Sequence, residues 1–321
     1  MKSFYDELVK IISKNSILLD EPMKKHTTFR IGGNADMFVS PAIEEIPEIV
    51  GLAKSHHIPV TIIGNGSNLL VGDKGIRGLV LSIGKGADGV ELQCEDKAIG
   101  ESDLVQMSVD VESKVRISVG AGALLSKVAA EAARNALTGF EFAAGIPGTI
   151  GGAVVMNAGA YGGEIKDVLV SVRVLTPDGD IQTLTRDELD LSYRHSCVPE
   201  KGYIVLDAIL ELKKGDEAQI RAAMEDFKGR RIEKQPLEYP SAGSTFKRPE
   251  GYFAGKLIQD ADLRGYQVGG AQVSEKHCGF VINADNATAQ DVLTLIEDVK
   301  KKVYEEFQVE LEPEVKMMGE F

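Results

Sequence analysis

The chain has 321 residues, of which 43% are hydrophobic and 26% are charged, as in an ordinary soluble globular protein. This length exceeds the roughly 100 to 200 residues of a typical domain, so we expect two or three lobes. The 49 acidic and 36 basic side chains give a formal net charge of -13, which disfavours non-specific binding to nucleic acids or anionic membranes. A phosphate-bearing ligand therefore needs a local site, which glycine-rich turns and helix N-termini can supply.

Targeting and metal-binding signals are absent from the sequence. The N-terminus lacks a signal-peptide pattern and no apolar run reaches about 18 residues, so we expect a cytoplasmic protein. Cys94, Cys197 and Cys278 match neither a disulfide framework nor a metal-ligand spacing, and the histidines show no His-Glu-x-x-His pattern. We expect reduced thiols and no metal.

The first part of the chain mixes helical and strand patterns. Phe4, Leu8 and Ile11 recur at helical spacing and predict an amphipathic helix at 3–13. The next elements follow in β-α-β order. In chain order we predict a strand at 37–39, a helix at 44–56, strands at 59–63, 79–83 and 115–119, and an alanine-rich helix at 124–137.

A glycine-rich stretch at 145–163 divides the chain. We predict a long loop there, because each glycine in a packed helix costs conformational entropy. Beyond it, the turn at 177–180 predicts a hairpin, and Thr185 and Glu188 form a capping-box pattern for a short helix. The neighbouring elements predicted are strands at 168–175, 181–184 and 203–212, and a charged helix at 216–233.

The composition shifts again at 235–249, which is rich in proline, serine and glycine. We place a domain boundary near Gly215, and predict a helix at 254–262 and a strand at 279–284. In the last predicted helix, four apolar residues form one stripe that is typical of a core face: Val292, Ile296, Val299 and Val303.

One segment, Gly84–Gly89, literally matches Gly-x-Gly-x-x-Gly after a strand. A Rossmann dinucleotide site requires a helix immediately afterwards, but Val90–Gln93 has strand character. No Gly-x-x-x-x-Gly-Lys-Ser/Thr occurs either. The sequence therefore indicates neither a Rossmann site nor a nucleoside triphosphate P-loop.

Three other glycine-bearing segments favour a different nucleotide site. They are Thr27–Gly33, Gly64–Leu70, and Gly145–Gly152 with its continuation at 157–162. Any one of them alone is most simply an ordinary tight turn. Together they provide backbone N–H groups that can approach a pyrophosphate closely, because glycine has no side chain in the way.

These segments, in this order, resemble the UDP-N-acetylenolpyruvoylglucosamine reductase family, within the flavoproteins similar to vanillyl-alcohol oxidase and p-cresol methylhydroxylase. The resemblance covers nearly the whole chain and is most specific at Leu191–Ser196, Gln235–Pro249 and Leu311–Val315. No additional domain is inserted between Arg194 and Ser244, which resembles the shorter subgroup.

The resemblance implies an α+β fold, with a two-lobed FAD-binding module of the p-cresol methylhydroxylase and vanillyl-alcohol oxidase type and a C-terminal α/β substrate-binding lobe. We expect the first FAD-binding lobe at 1–87, the second at 88–214 and the substrate lobe at 215–307. The tail at 308–321 is a candidate to return to the first lobe. A stretch at 88–114 is longer and more polar than the family pattern, and we interpret it as a surface hairpin extension.

The resemblance also implies the reaction. The family uses non-covalent FAD to reduce UDP-N-acetylglucosamine enolpyruvate to UDP-N-acetylmuramate in peptidoglycan precursor synthesis. NADPH delivers hydride first and leaves, and the sugar nucleotide then takes its place in a ping-pong sequence. We expect no covalent flavin link at His195, no nucleic-acid or membrane partner, and a monomer.

Three residues fall on the family's catalytic positions: Arg194, Ser244 and Glu314. Arg194 offers a planar, permanently charged group for the carboxylate of the enolate-like intermediate. Ser244 donates the proton to the adjacent carbon, which requires a strongly basic carbanion because serine is a weak acid. Glu314 either polarises the intermediate or holds Arg194 in place. Without the resemblance, Arg194 would be interpreted as part of a surface ion pair, Ser244 as a loop residue and Glu314 as part of a solvated strand edge.

The remaining site residues come from the same resemblance. Substrate contacts are expected at Tyr193, Arg231 and Lys247, and Arg230 could also serve phosphate, although a solvated helix face is as good an interpretation. FAD contacts are expected at Arg30, Gly64, Asn65, Gly66, Ser67, Asn68, Gly145, Gly148, Thr149, Gly151, Gly152, Asn157, Ala158 and Gly159.

Two other functions are open at this point. An FAD oxidase or dehydrogenase on the same fold would act on a hydroxy acid or sugar alcohol, but Ser241–Phe246 and Glu312–Val315 favour the reductase. A binding protein without turnover would be favoured if Arg194, Ser244 or Glu314 were missing, and all three are present. Fold alone does not decide among these functions.

Overall fold

The computed structural model describes residues 2–84, 87, 106–109 and 114–321, and at 106–109 it describes the backbone alone. Cys94 and most of the Gly84–Gly89 motif lie outside the described residues, as does the extension predicted at 88–114 apart from 106–109 and 114. Mixed helices and strands make up the described chain, as the α+β prediction requires.

The described residues form α-helices that occur both between and after the strands. In chain order these helices are α1 (Lys2–Ile11), α2 (Ile46–Ser55), α3 (Leu125–Arg134), α4 (Ile150–Met156), α5 (Glu217–Lys234), α6 (Ala254–Asp260) and α7 (Ala289–Phe307).

The strands in the described residues range from two to eleven residues. In chain order they are β1 (Ile17–Pro22), β2 (Asn34–Val39), β3 (Val60–Ile63), β4 (Leu69–Val71), β5 (Ile76–Ser82), β6 (Gln106–Val109), β7 (Lys114–Gly120), β8 (Leu137–Thr138), β9 (Gly159–Ala160), β10 (Gly163–Glu164), β11 (Leu169–Leu175), β12 (Ile181–Thr185), β13 (Ile204–Lys214), β14 (Gln267–Val268), β15 (Ala271–Val273), β16 (Val281–Asn283) and β17 (Lys316–Met318).

The chain forms two compact units, each assembled from separate parts of the sequence. Unit 1 contains Met1–Ile17, Val39–Asn65 and Leu81–Arg230. Unit 2 contains Leu18–Phe38, Gly66–Val80 and Arg231–Phe321. The chain passes from one unit to the other inside the glycine segment at 64–68.

An antiparallel sheet forms the centre of unit 1. Its strand order is β12-β11-β13-β7-β6, and β8 pairs with the far end of β13. The central strand β13 is buried at nearly every position of its first nine residues, because it has a neighbour on each edge and packs against α4. Such continuous burial explains why its sequence is a nearly unbroken apolar run.

Unit 2 is organised around the long helix α7. Thr288 and Asp291 form its capping box, and the stripe of Val292, Ile296, Val299 and Val303 is fully buried. The stripe packs in one core with α6, β15 and β16, so the core face predicted for it is confirmed. In the same unit β1, β2 and β5 are neighbours in that order, β14-β15-β16 form a small sheet, and β17 pairs in parallel with β4.

Most elements predicted from periodicity are confirmed with small shifts at their ends. The hairpin around Asp178 is formed by β11 and β12. In the capping box, the backbone N–H of Thr185 donates to Glu188 at 2.8 Å, and the helix that follows is a short 3-10 helix, Arg186–Leu189. The helix predicted at 44–56 begins with a 3-10 turn, so α2 itself is shorter.

The loop predicted at 145–163 is wrong in its middle, where α4 occupies Ile150–Met156. The prediction counted the entropic cost of glycine but not the contacts that offset it. The backbone N–H groups of Ile150 and Gly151 donate to the carbonyls of Ala123 and Ala121. A Cβ on Gly151 would lie only 3.0 Å from the Cβ of Ala121, so close packing favours glycine inside this helix.

Several short strands were not predicted, among them β1, β14, β15 and β17. Each has six residues or fewer, and none shows the sustained alternation that identifies a strand in sequence. Among the described residues, none of the helices has the length and apolar character needed to cross a bilayer.

Candidate functional site

Two of the three glycine segments meet in unit 1. The side-chain amide of Asn65 donates to the carbonyl of Pro147 at 2.7 Å. A Cβ on Gly64 would lie 2.6 Å from Oγ1 of Thr149, which is closer than real Cβ atoms come to another atom. The structure therefore brings the segment beginning at Gly64 against the segment beginning at Gly145, as a shared nucleotide site requires.

The start of α4 presents one open glycine. Thr149 is the N-cap residue, and its hydroxyl accepts a long hydrogen bond from the N–H of Gly152 at 3.5 Å. Gly152 is exposed, and apart from its chain neighbours and the nearby backbone of α4, a Cβ built on it would have one neighbour within 4 Å among the described residues, Oγ1 of Thr149 at 3.6 Å. Space therefore remains at this position for a ligand to approach the backbone, although the helix itself does not require glycine there.

Asn157 anchors the loop that follows α4. It is fully buried and adopts a left-handed conformation with φ of 40°. Its Nδ2 donates to the Glu164 carboxylate at 2.7 Å and to the Ser192 carbonyl at 3.0 Å, and its Oδ1 accepts from the N–H of Lys166 at 3.0 Å. These bonds use its amide within the protein, so its contribution to a ligand site is to hold the surrounding backbone.

Arg194 lies at the tip of a tight turn in unit 1. Ser192 and His195 exchange backbone hydrogen bonds of 3.3 and 3.2 Å around Tyr193 and Arg194. Arg194 has a φ of 56°, a left-handed conformation that is costly for a residue with a long side chain. Its guanidinium donates to the carbonyl of Gly159 at 3.3 Å and lies 4.9 Å from the centre of the Tyr193 ring.

The turn thus connects several predicted site residues. Arg194 and Tyr193 are joined directly, and Arg194 is bonded to the same glycine segment that includes Asn157 and Gly159. Ala158 contributes only backbone bonds that are already used, because its N–H donates to Ala153 and its carbonyl accepts from Ile165. A guanidinium fixed from two sides is suited to bind a carboxylate in one orientation.

A further glycine turn, predicted from sequence to contact a nucleotide, lies in unit 2. Gly66 has a φ of 63°, and a Cβ there would lie 2.0 Å from the carbonyl oxygen of His26. Its carbonyl accepts from the N–H of Thr28 at 3.1 Å. Within the described part of the chain, the N–H groups of Gly66 and Ser67 have no acceptor, although Gly66 is buried. Buried N–H groups are rarely left unpaired, so that of Gly66, with the half-buried N–H of Ser67 beside it, points to an anionic ligand.

An open cleft of about 780 Å³ lies beside this turn in unit 2. Arg30 lines it in a left-handed conformation with φ of 55°. Lys25 pairs with Glu21 at 3.4 Å, whereas no carboxylate among the described residues lies within ion-pair distance of Lys24 or Arg30. Tyr239 adds a ring that is 45% exposed. Cations and an aromatic ring in an otherwise acidic chain fit a phosphate-bearing nucleotide.

Ser244 and Glu314 are brought together by backbone pairing within unit 2. The N–H of Glu314 donates to the carbonyl of Thr245 at 2.8 Å, and the N–H of Lys247 donates to the carbonyl of Glu312 at 2.8 Å. The two segments therefore run antiparallel, and the two predicted catalytic residues lie on adjacent, hydrogen-bonded segments. Ser244 is exposed after a left-handed glycine, Gly243. Arg194, the third residue, belongs to unit 1.

Asn68 holds the same segment from its other side. Its Nδ2 donates to the carbonyl of Glu314 at 3.1 Å, and its own carbonyl accepts from the N–H of Lys316 at 2.9 Å. A predicted FAD contact is thus bonded directly to a predicted catalytic residue.

Thr245 holds the segment around Ser244 through buried hydrogen bonds. It is 1% exposed, its N–H donates to the carbonyl of Gly279 at 2.8 Å, and its Oγ1 accepts from the N–H of Val281 at 2.9 Å. Beside it, burial lowers the pKa of His277, whose Nδ1 accepts from the N–H of Gly279 at 3.0 Å. Burial likewise raises the pKa of the Cys278 thiol. Both groups are therefore held in their neutral forms.

The predicted substrate cations have protein partners. Lys247 forms an ion pair with Glu312, and Arg230 pairs with Asp226 at 2.7 Å on the surface of α5. Arg231 is half-buried in the last turn of the same helix. A phosphate at Lys247 has to compete with Glu312, whose side chain is 68% exposed and free to move towards solvent.

Sequence reasoning missed several residues at these sites. Lys24 and Lys25 line the cleft, and the pair stands just before the Thr27 segment, which was a usable signal. Thr245 and Asn283 were missed because their bonds join distant segments: Nδ2 of Asn283 donates to the carbonyl of Phe29 at 3.2 Å. Both predicted thiols within the described chain, Cys197 and Cys278, are free and buried.

Comparison with known families identifies two regions. Residues 235–318 match the family described as UDP-N-acetylenolpyruvoylglucosamine reductase, C-terminal domain. Residues 35–185 match the family described as FAD binding domain. An FAD-binding module followed by a reductase-type C-terminal region is therefore confirmed, and the unpaired N–H groups and unpaired cations described above fit the phosphates of that cofactor.

Similarity to whole proteins extends over the entire chain. A UDP-N-acetylenolpyruvoylglucosamine reductase of Agathobacter rectalis is 59% identical over 320 residues, covering 100% of this chain and 99% of the relative. One of Lachnoclostridium phytofermentans is 54% identical over 316 residues, covering 98% and 96%. The crystal structure of the Thermus caldophilus enzyme with this name is 35% identical, with a TM-score of 0.72, and covers 94% of this chain and 97% of that one.

Proposed function

The chain belongs to the UDP-N-acetylenolpyruvoylglucosamine reductase family of FAD oxidoreductases, and from this we propose that it reduces UDP-N-acetylglucosamine enolpyruvate to UDP-N-acetylmuramate with NADPH. The observation that carries the proposal is the antiparallel pairing of the Ser244 and Glu314 segments through the 2.8 Å bond from Glu314 to Thr245. When bound, FAD supplies hydride transfer between NADPH and the enolpyruvyl carbon. The family membership favours a reductase over an oxidase or a binding protein without turnover.

The glycine segments hold the cofactor phosphates. The unpaired N–H groups of Gly66 and Ser67 are the donors that support this assignment best, because a buried donor without an acceptor is costly until a ligand supplies one. Arg30 contributes charge from the adjoining cleft. In unit 1, the open backbone face at Gly152 allows close approach.

Arg194 binds the carboxylate of the enolpyruvyl group. Its fork of N–H groups matches a carboxylate, and its bond to Gly159 and contact with Tyr193 preorganise it. As hydride reaches the terminal carbon, negative charge grows on this carboxylate. A fixed cation lowers the energy of that state more than the energy of the starting enolpyruvyl carboxylate, which carries less negative charge.

Ser244 moves the proton. Its Oγ donates to the carbon that becomes basic when the neighbouring carbon accepts hydride, and this completes the addition of H₂ across the double bond. Its exposed position after Gly243 allows contact with substrate. Glu314, whose backbone is fixed beside Thr245, polarises the same intermediate. Tyr193, Arg231 and Lys247 contact the sugar nucleotide, with Lys247 released from Glu312 by the incoming phosphate.

The test is an anaerobic visible spectrum of the purified, FAD-loaded protein. NADPH is added first, and UDP-N-acetylglucosamine enolpyruvate is added after the flavin absorbance has bleached. Return of the absorbance on addition of substrate, with UDP-N-acetylmuramate as product, is the expected result. Persistent bleaching until oxygen is admitted would instead support an oxidase and refute the substrate assignment.

Three variants assign the roles. Arg194→Lys keeps the charge but loses the fork, so we expect a lower rate of substrate reduction with NADPH oxidation unaffected. Ser244→Ala removes the proton donor and should slow only the second step, by about 100-fold or more. Glu314→Gln should slow the same step. Equal rates in the variants and the parent protein would withdraw these assignments.

Other expectations from the sequence stay predictions. These are the three-lobe division at 1–87, 88–214 and 215–307, the cytoplasmic location and the monomeric state. Light scattering of the purified chain tests the last of them directly.

A further inference from the structure

We propose that Asn68 is a positioning residue for Glu314, so that the loop assigned to the cofactor also sets the orientation of the Glu314 carboxylate. The inference rests on the proposed function of Glu314. It goes beyond that function because Asn68 is assigned a second task, performed through protein contacts and separate from any contact with FAD.

The first observation is that Asn68 brackets Glu314. Its side chain donates to the carbonyl of Glu314 at 3.1 Å, and its main-chain carbonyl accepts from the N–H of Lys316 at 2.9 Å. The parallel ladder of β4 and β17 begins at the next position, where Leu69 is paired with Lys316. The side-chain amide of Asn68 therefore adds one hydrogen bond to the end of this ladder. That bond holds Glu314, which the backbone pairing of β4 and β17 does not include.

The second observation is that Glu314 is the point where its segment changes partner. Pro313 forms a bridge with Phe246, and the N–H of Glu314 donates to Thr245 at 2.8 Å. Beyond Glu314 the chain pairs with β4 instead. Glu314 thus lies in neither ladder, with its N–H held by the Ser244 loop and its carbonyl held by Asn68.

The consequence follows from the geometry of one residue. With the N–H fixed alone, rotation about the backbone of Glu314 can still move its side chain. Fixing the carbonyl as well removes most of that freedom and sets the direction of the Cα–Cβ bond. Small displacements of a catalytic group are costly to rate, because the reacting geometry is narrow. The contact also couples the two sites, since a ligand that orders the loop at 66–68 orders the carboxylate too.

Two substitutions test the bond. Asn68→Ala removes the amide, and Asn68→Asp keeps its shape but sets a carboxylate oxygen against the Glu314 carbonyl. The matched control is Asn65→Ala in the same loop, because Asn65 also donates its amide to a carbonyl, that of Pro147 at 2.7 Å, away from Glu314. All variants are studied at FAD concentrations well above their measured dissociation constants, so that weakened cofactor binding does not limit the rates.

The first readout is hydrogen exchange at the amides of Glu314 and Lys316, which needs no activity. We expect exchange to rise by about 3- to 10-fold in Asn68→Ala, the range of one net hydrogen bond, and to stay unchanged in Asn65→Ala. Unchanged exchange in Asn68→Ala would overturn the proposal, because the bond would then not restrain this segment.

The second readout separates the two half-reactions. In Asn68→Ala at saturating FAD we expect flavin bleaching by NADPH to keep its rate, while reduction of the sugar nucleotide slows by about 10-fold. When Glu314→Gln is already present, Asn68→Ala should lower the rate of sugar-nucleotide reduction by less than about 2-fold, because Asn68 then has no carboxylate to position.

The outcomes distinguish failure of this inference from failure of the proposed function. If Glu314→Gln leaves sugar-nucleotide reduction unchanged, the role of Glu314 fails, and the inference fails with it. If Glu314→Gln slows that step but the effect of Asn68→Ala is fully additive with it, or disappears at saturating FAD, only the positioning role of Asn68 is overturned.

Discussion

Replacement of Gly152 by alanine should separate the stability of the protein from its affinity for FAD. Gly152 lies in the first turn of α4, and its added Cβ would meet Oγ1 of Thr149 at the ordinary contact distance of 3.6 Å, with no closer described atom outside the local helix backbone. The protein itself therefore accommodates the methyl group. If FAD approaches the backbone at this position, as proposed, the same methyl group occupies the space that the ligand needs.

The substitution should raise the stability of the FAD-free protein and lower its affinity for FAD. Alanine in place of glycine reduces the entropy lost on forming the helix, which stabilises the FAD-free protein by about 0.5 kcal/mol in a first turn. This corresponds to a rise in melting temperature of about 1 to 2 °C. Forcing a methyl group into a close contact costs about 1 to 3 kcal/mol, so the dissociation constant of FAD should rise by about 10-fold or more.

The assay combines thermal melts of the FAD-free chain, followed by circular dichroism, with titration of FAD followed by its absorbance. Gly229→Ala is the matched control. Gly229 lies within the exposed α5 helix, and outside the local helix backbone no described atom lies within 4 Å of a Cβ built there. We expect Gly229→Ala to raise the melting temperature in the same way and to leave FAD affinity unchanged.

Two results would refute this reasoning. Unchanged FAD affinity in Gly152→Ala would mean that the ligand does not approach this turn. A lower melting temperature in the FAD-free Gly152→Ala protein would mean that the backbone there is not helical, contrary to the contact distances.

Further substitutions and a pH titration test the contacts of unit 2. Gly66→Ala should prevent stable folding, because its Cβ would meet the carbonyl oxygen of His26 at 2.0 Å and its φ is 63°; a normal melting curve would contradict the turn. Burial lowers the pKa of His277, so the unfolded chain binds its proton first on acidification, and stability should fall as the pH drops below about 6.5. That slope should flatten in His277→Gln when melts are compared between pH 5 and 8. Thr245→Val leaves the buried N–H of Val281 without an acceptor and should cost about 1 to 3 kcal/mol in denaturant titrations; Thr245→Ser, which keeps the hydroxyl, should cost less.

The elements with sustained periodicity could be predicted from sequence because their signals are local. The stripe of α7 repeats at 3.6-residue spacing and its capping box lies within four residues. The turn between β11 and β12 likewise follows from a proline, a glycine and two aspartates in one short segment. Helix α4 could not be predicted this way, since the carbonyls that hold its first N–H groups come from Ala121 and Ala123.

The candidate site shows the same division. Specific sequence segments indicated the family, and the family resemblance then selected Asn68, Ser244 and Glu314 as site residues. They could not show that the amide of Asn68 donates to the carbonyl of Glu314, because the two residues are 246 positions apart in sequence. Nor could they identify Thr245 as the residue whose hydroxyl joins the Ser244 segment to Val281 at the start of β16.

The sequence by itself determined the type of most long elements, the glycine segments suited to phosphate and the residues with the required chemistry. The tertiary structure alone decided which of those residues share hydrogen bonds, and that Gly66 and Ser67 keep N–H groups without an acceptor among the described residues. The physical reason is the sequence separation between the residues that interact. Helical periodicity and turn conformation depend on neighbours a few residues away, whereas the geometry of this site depends on contacts between segments that only the folded core brings together.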